Sequence, residues 1–308
     1  MRITLVHAGA FGDTVLLAPL LRSLRQRWSG ATRTVVTRWE FGQMLLRLDL
    51  AENCADANSP LHSRWFAPIT VATNRVLSPP GRIPETVAPA WADCDLLISA
   101  VSNGHDVWAG NAHHFSTAGE ILFFQPRPPP DFSHSVPEFH RQQLASLALP
   151  LSHMPPFHCH ATGPIIIASG AGGRGKCRPL DEFIALGRLL GKKGRNVRFL
   201  LGPTELERFS VSHMQAIGRE FPIDKCEELM RLMDLLQSAG GFIGNDSGPG
   251  HLAAAMGLPT LVFFSGGNPA QWAPIGPRVQ AVAVSAMVAN ADDRQNQITR
   301  LLAMGCGV

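Results

Sequence analysis

The sequence predicts an α/β protein built from two doubly wound domains that face a central cleft. Three observations lead there. Short apolar runs alternate with amphipathic helical patterns in both halves of the chain, and parallel strands need such crossovers. A Pro- and His-rich stretch, PLSHMPPFHCHATGP at 150–164, interrupts the alternation once and reads as a linker. The length of 308 residues favours two domains over one large one. The expected organisation is a first domain over 1–152, a linker over 153–163 and a second domain over 164–290. A terminal amphipathic helix over 291–308 has the option of packing back on the first domain.

In the first half, Ile3–Val6 reads as a strand and Thr14–Trp28 as a helix with leucines at helical spacing. Thr34–Thr37 and Leu96–Val101 read as strands, and Phe41–Leu48 and Phe139–Leu149 as helices. The stretch 52–92 gives no clear period, and Pro79, Pro80 and Pro84 mark loops there. In the second half the strands are Ile165–Ser169, Val197–Leu201, Gly241–Gly244, Thr260–Phe264 and Val279–Val284. Helices are read over Leu180–Lys192, Glu205–Glu220, Cys226–Ser238, Gly250–Met256 and Asp292–Met304.

Hydrophobic residues make up 45% and charged residues 17%, enough to build ordinary cores. The net charge of +3 comes from scattered basic residues, which argues against nucleic-acid binding and leaves room for an acidic substrate or an anionic membrane surface. Six cysteines, at 54, 94, 159, 177, 226 and 306, form no C-x-x-C pair, as suits reduced thiols in a cytoplasm. Residues 1–6 enter a strand directly, so no signal peptide is expected, and no apolar run has the length of a membrane span.

Ligands of doubly wound sheets sit at the carboxyl ends of strands, and four motifs fall there. The first is Gly9-Ala10-Phe11-Gly12-Asp13-Thr14. It lacks the third glycine and the later acidic residue of a dinucleotide fingerprint. A carboxylate at a helix start repels phosphate, so Asp13 is either a helix cap or a general base, and one residue can be both. The second motif, SGAGGRGK, places Ser169, Gly170 and Lys176 after a strand, where converging N–H groups and an ammonium suit an anion; a solvated flexible loop is the plain alternative. The third, GNDSGPGH, offers Asp246, Ser247, Gly248 and His251 at a helix start, for a diphosphate and a sugar hydroxyl or simply as caps. The fourth, GPTELER, puts Glu205 where it can accept from ribose hydroxyls or complement the helix dipole.

Weaker signals compete. Asp93-Cys94-Asp95 spells D-x-D but precedes its strand, and His153, His158, Cys159 and His160 lack a second ligand pair for zinc. No metal site is therefore expected. Arg22, Arg25 and Arg27 end the first helix and either complement its dipole or touch acidic headgroups.

Taken together, HAGAFGDTVLLAPLLRSLRQR, SGAGGRGKCRPLDEF, LLGPTELER and the block from Cys226 to Pro277 resemble glycosyltransferase family 9, the ADP-heptose:lipopolysaccharide heptosyltransferases. The resemblance implies a GT-B fold of two Rossmann-like domains, with the acceptor on the first and the nucleotide sugar on the second. It implies a metal-independent, inverting transferase without a cofactor, using an ADP-linked donor and a glycolipid or glycan acceptor. Such an enzyme would be cytoplasmic, with room for peripheral contact at the inner membrane. Asp13 would be the base, flanked on the acceptor side by Gly12 and Thr14. Ser169, Gly170 and Lys176 would hold the diphosphate, Glu205 the ribose, and Asp246, Ser247, Gly248 and His251 the sugar and diphosphate. The chain departs from the family where Lys176-Cys177-Arg178-Pro179 stands for Lys-x-Trp-Pro, at His7, and at Ser265–Pro269. Two other classes stay open: an epimerase or hydrolase of nucleotide sugars on the same fold, and a non-catalytic nucleotide-sugar-binding protein.

Overall fold

A computed structural model describes residues 1–67, 89–152, 160, 162–284 and 291–305. The chain forms two compact units. The first comprises Met1–Ala10, Leu17–Pro130 and Val136–Ser152; the second comprises Phe11–Leu16, Asp131–Ser135 and His153–Val308. The stretch Phe11–Leu16, read from sequence as part of the first domain, thus groups with the second.

The first unit is built on a parallel sheet of β1 (Arg2–Val6), β2 (Thr32–Thr37), β3 (Asn53–Asp56), β4 (Leu96–Ser99) and β5 (Glu120–Phe123), in the order β3-β2-β1-β4-β5. Ile3–Val6 and Leu96–Ser99 are buried throughout, which is why they read as unbroken apolar runs. Around the chain run helices α1 (Phe11–Val15), α2 (Ala18–Arg27), α3 (Trp39–Arg47), α4 (Pro60–Ser63), α5 (Val107–Phe115) and α6 (Val136–Gln143), of which α1 belongs to the second unit. The single helix expected over 14–28 is two, because Pro19 has no N–H for the Val15 carbonyl and its ring crowds that turn. The helix expected over 139–149 also ends early, at Gln143; a 3₁₀ turn, Ala145–Leu147, follows and closes on Ala148 in a left-handed conformation.

Part of the stretch that shows no sequence period supplies the core of this unit. Trp65 and Trp108 are fully buried beside Trp91, with ring centroids 5.0 Å (Trp65–Trp91) and 5.4 Å (Trp65–Trp108) apart. His62 lies among them. Its Nδ1 donates to the Ala57 carbonyl at 2.7 Å, and its Nε2 accepts from Trp108 Nε1 at 3.3 Å. The Pro79, Pro80 and Pro84 positions lie outside the described residues.

The D-x-D carboxylates are structural. Asp93 pairs with Arg2 and accepts from Thr117 Oγ1 at 2.9 Å, while Asp95 accepts from the Arg2 N–H at 2.7 Å. They fasten the starts of β1 and β4. Of the three arginines ending α2, Arg25 pairs with Asp49 and Arg27 lies 5.4 Å over the Trp28 ring.

The second sheet contains β6 (Ile165–Ala168), β7 (Val197–Leu201), β8 (Ile223–Lys225), β9 (Gly241–Asn245), β10 (Thr260–Phe264) and β11 (Val279–Ala283). Its order is β11-β10-β9-β6-β7-β8, all parallel. Helices α7 (Leu180–Lys192), α8 (Pro203–Arg208), α9 (Val211–Gly218), α10 (Leu229–Gln237), α11 (Gly248–Ala255), α12 (Pro269–Trp272) and α13 (Ala291–Ala303) complete it. The helix expected over 205–220 divides at Ser210, whose hydroxyl caps the new start by accepting from the His213 N–H. The C-terminal helix, expected over 291–308, groups with the second unit. It packs on α7 and β10, with Ile298 and Leu301 in the core alongside Phe183 and Phe263. The reason is apolar complementarity: these two side chains are its buried positions. Among the described residues no helix is long and apolar enough to cross a membrane.

Burial holds the His62 imidazole below its ordinary value, the Ala57 carbonyl only partly opposing this. The unfolded chain therefore takes up the proton first as pH falls. Stability from this site is complete above about pH 6.5 and declines as pH drops through the lowered folded value. Urea unfolding followed by tryptophan fluorescence should show a midpoint that falls between about pH 7 and pH 5, and His62→Gln should flatten that dependence.

Candidate functional site

Strand order in the second sheet reverses between β6 and β9, which lie side by side with Ala168 level with Gly244. Loops leaving the carboxyl ends of these two strands diverge to opposite faces, and the gap between them is where such sheets bind ligands. The β6 loop carries Ser169, Gly170 and, on a 3₁₀ turn over Arg174–Lys176, Lys176. From β9 the loop carries Asp246 and Ser247 and enters α11 with Gly248 and His251.

The two loops are joined by a side chain the sequence reading did not single out. Asn245 is fully buried. Its Nδ2 donates to the Ser169 carbonyl at 2.7 Å, and its Oδ1 accepts from the Arg178 N–H at 3.2 Å. One amide thus fixes both ends of the 169–178 loop against β9. Asparagine does this because it carries a donor and an acceptor on one short side chain.

Lys176 Nζ lies 2.5 Å from Asp246 Oδ2, and His251 Nε2 lies 3.6 Å from Asp246 Oδ1. Burial alone would push the Asp246 carboxyl up; the hydrogen bonds from His251 and Lys176, with the lysine charge, outweigh it and hold the group below the usual carboxylate range. Asp246 is 7% exposed and Lys176 48%, so the carboxylate is the fixed partner and the ammonium can turn to a ligand. Three buried atoms here have no protein partner: Ser169 Oγ, Ser247 Oγ and His251 Nδ1. Buried polar atoms are normally paired, and these three have capacity for a further hydrogen bond.

Glu205 stands beside the same loop. Its Oε2 accepts from the Gly202 N–H at 2.8 Å, closing the first turn of α8. Its Oε1 lies so close to Gly170 that a Cβ on that residue would meet it at 1.5 Å. Any side chain at Gly170 would displace the Glu205 carboxylate from this position. Arg208, another residue the sequence left unmarked, donates to the Ala171 and Gly172 carbonyls at 3.3 and 3.2 Å and so orients the glycine-rich loop from outside.

The helix bearing Asp13 is packed on α11. A Cβ on Gly12 would come within 3.3 Å of the His251 ring, and one on Gly248 within 2.2 Å of the Phe11 ring. Asp13 is half-buried and Thr14 fully buried. Gly12, Asp13 and Thr14 thus stand at the helix that carries Gly248 and His251. Of the histidine-rich group, His153, His158 and Cys159 lie outside the described residues. Among the described residues no three His, Cys, Asp or Glu side chains are grouped to hold a metal ion.

A family model described as glycosyltransferase family 9 (heptosyltransferase) matches residues 120–301, more than half of the chain. The chain belongs to glycosyltransferase family 9. A Haemophilus influenzae protein named "Putative glycosyltransferase" is 30% identical over 116 residues, which are 36% of this chain and 34% of that protein. The match thus spans about a third of that relative. Among solved structures, the family 9 glycosyl transferase of Veillonella parvula superposes with a TM-score of 0.67 at 15% identity, covering 98% of this chain and 97% of the other. Escherichia coli heptosyltransferase WaaC with ADP gives 0.66 at 16%, covering 92% and 94%. Escherichia coli ADP-heptose lps heptosyltransferase II gives 0.65 at 14%, covering 99% and 98%. At these identities the likeness carries the fold, which is GT-B.

Within this family 9 chain the Arg178 departure is accommodated by a buried network. The Arg178 guanidinium stacks 4.2 Å over the Phe263 ring and reaches Glu182 at 3.3 Å. Arg294 on α13 reaches the same carboxylate at 3.3 Å. Cation–π stacking holds the Arg178 guanidinium against the Phe263 ring. Glu182 is 6% exposed and is the carboxylate that both guanidinium groups share. Glu182→Ala should therefore destabilise the second unit by about 3–5 kcal/mol, because it leaves Arg178 buried without a counter-charge. Calorimetric unfolding checks this, with Glu182→Asp expected to recover part of the loss.

Proposed function

We propose that the protein is an inverting, metal-independent glycosyltransferase. It moves heptose from ADP-heptose onto a lipopolysaccharide-core or related glycolipid acceptor at the cytoplasmic face of the inner membrane. The observation that carries this reading is the meeting of Lys176 with Asp246 across the loops that leave β6 and β9, which also carry the unpaired Ser169 and Ser247 hydroxyls. This set suits a diphosphate at the sheet's switch point. The family, described as heptosyltransferase, supports the sugar, and the nucleotide named with WaaC supports the adenine donor.

In the proposed reaction an acceptor hydroxyl oxygen attacks the anomeric carbon. The bond from that carbon to the diphosphate oxygen breaks, and nucleoside diphosphate leaves with the electron pair. The hydroxyl proton passes to the Asp13 carboxylate. Attack opposite to the leaving group inverts the anomeric centre. Negative charge grows on the departing diphosphate, and Lys176 with the loop N–H groups opposes it, the task a divalent cation performs in other transferases. Asp246 keeps Lys176 in place and bears on the sugar hydroxyls, and Glu205 faces the ribose. Asp13 suits the base because a carboxylate at that helix start repels phosphate and accepts a proton.

Asp13→Ala should lower transfer by about 10²–10⁴-fold while leaving ADP affinity within about twofold. Turnover of ADP-heptose with heptose-deficient lipopolysaccharide and calorimetric titration with ADP measure the two; unchanged turnover would remove Asp13 from the mechanism.

ADP at about a hundred times its Kd should stabilise the protein by about 2.7 kcal/mol, seen as a rise in Tm. UDP, GDP and CDP at the same concentration should give less, and Lys176→Ala should abolish the ADP shift. A larger shift with another nucleotide would reassign the donor.

A further inference from the structure

We infer that Phe11 is a positioning residue for Asp13, acting through an interlock between α1 and α11. The inference rests on the reading of Asp13 as the base. A one-turn helix such as α1, five residues long, has no stability of its own; its place comes from what it packs against. Here the partner is α11, and the two helices meet glycine to glycine. A Cβ on Gly12 would lie 3.7 Å from the Gly248 Cα and 3.3 Å from His251 Cδ2. In the other direction the Phe11 ring occupies the space a Gly248 side chain would take: a Cβ there would meet Cδ1 at 2.2 Å and Cε1 at 2.9 Å.

The consequence is geometric. Phe11, Gly12 and Asp13 are consecutive, so the seat of the Phe11 ring and the approach of Gly12 set where the Asp13 carboxylate stands relative to α11. Helix α11 begins with Gly248 and carries His251, whose Nε2 faces Asp246. The base is thereby indexed to the loop proposed to hold the leaving group. The chain reaches α1 from β1 of the first unit and returns to that unit at Leu17, yet Phe11–Leu16 itself groups with the second. The Phe11 ring in the glycine notch is one of the contacts that tie α1 to α11. Misplacing a reacting group by about 1 Å costs on the order of 10²-fold in rate, so loss of the ring should be felt in turnover rather than in nucleotide binding.

The experiment compares Phe11→Ala, Phe11→Leu, Asp13→Ala and the Phe11→Ala/Asp13→Ala double variant in the full chain. Turnover is read with ADP-heptose and heptose-deficient lipopolysaccharide, and binding with ADP. Phe11→Ala should lower kcat about tenfold or more with ADP affinity unchanged, Phe11→Leu should recover most of it, and the double variant should be no slower than Asp13→Ala alone. Amide exchange gives a second readout that needs no acceptor. The Leu16 N–H, bonded to the Gly12 carbonyl at 3.0 Å, should exchange about tenfold faster in Phe11→Ala while Leu5 and Ile243 are unaffected. Wild-type kcat and wild-type Leu16 exchange in Phe11→Ala would overturn the inference. So would weakened ADP binding, which would make the ring part of the donor site. An active Asp13→Ala would instead defeat the base assignment, leaving the exchange result to judge the interlock.

Discussion

The site depends on one buried amide. Asn245 ends β9 with no exposed surface and hydrogen-bonds the backbone at both ends of the loop that leaves β6. With Arg208 bracing from outside, it holds a loop that has glycines at 170, 172, 173 and 175. With it, Ser169 and Lys176 are carried to Asp246, the residue that follows Asn245. The sheet makes this possible because β6 and β9 are neighbours although 72 residues of sequence, Ser169 to Gly240, separate them.

Electrostatics at the site follow the same division between fixed and free groups. Asp246 is buried and stays ionised through His251 and Lys176. Lys176 is half exposed, so its charge can serve an incoming anion without leaving a carboxylate unpaired. One layer below, Glu182 does for Arg178 and Arg294 what Asp246 does for Lys176. The C-terminal helix is tied to the base of the loop by that pairing and by Ile298 and Leu301 in the core. Close approaches replace side chains elsewhere: Gly170 makes room for Glu205, and Gly248 for Phe11.

Much of the second unit was legible in the sequence. Its central strands are buried on both faces, so they appear as continuous apolar runs, and Leu180–Lys192, Val197–Leu201 and Thr260–Phe264 have the bounds their patterns indicate. Short edge strands were not legible. Asn53–Asp56, Glu120–Phe123 and Ile223–Lys225 are three or four residues long and partly exposed, too brief to show a period. The break between α1 and α2 could have been read from Pro19, and the start of α5 from Asp106, whose carboxylate accepts from the Ala109 N–H.

By itself the sequence determined the class of fold and the placing of Asp13, Lys176 and Asp246 in glycine-bearing segments that follow strands, because each of these is a local property of residue type and spacing. Tertiary structure alone decided that Asn245 joins two loops, that Arg208 braces one of them and that Glu182 serves two arginines. It also decided that α1 groups with the second unit and that the D-x-D carboxylates are spent on Arg2 and Thr117. The physical reason is that hydrogen bonds, ion pairs and close approaches are made between residues far apart in the chain, and pattern along the chain holds no record of which partners the fold brings within reach.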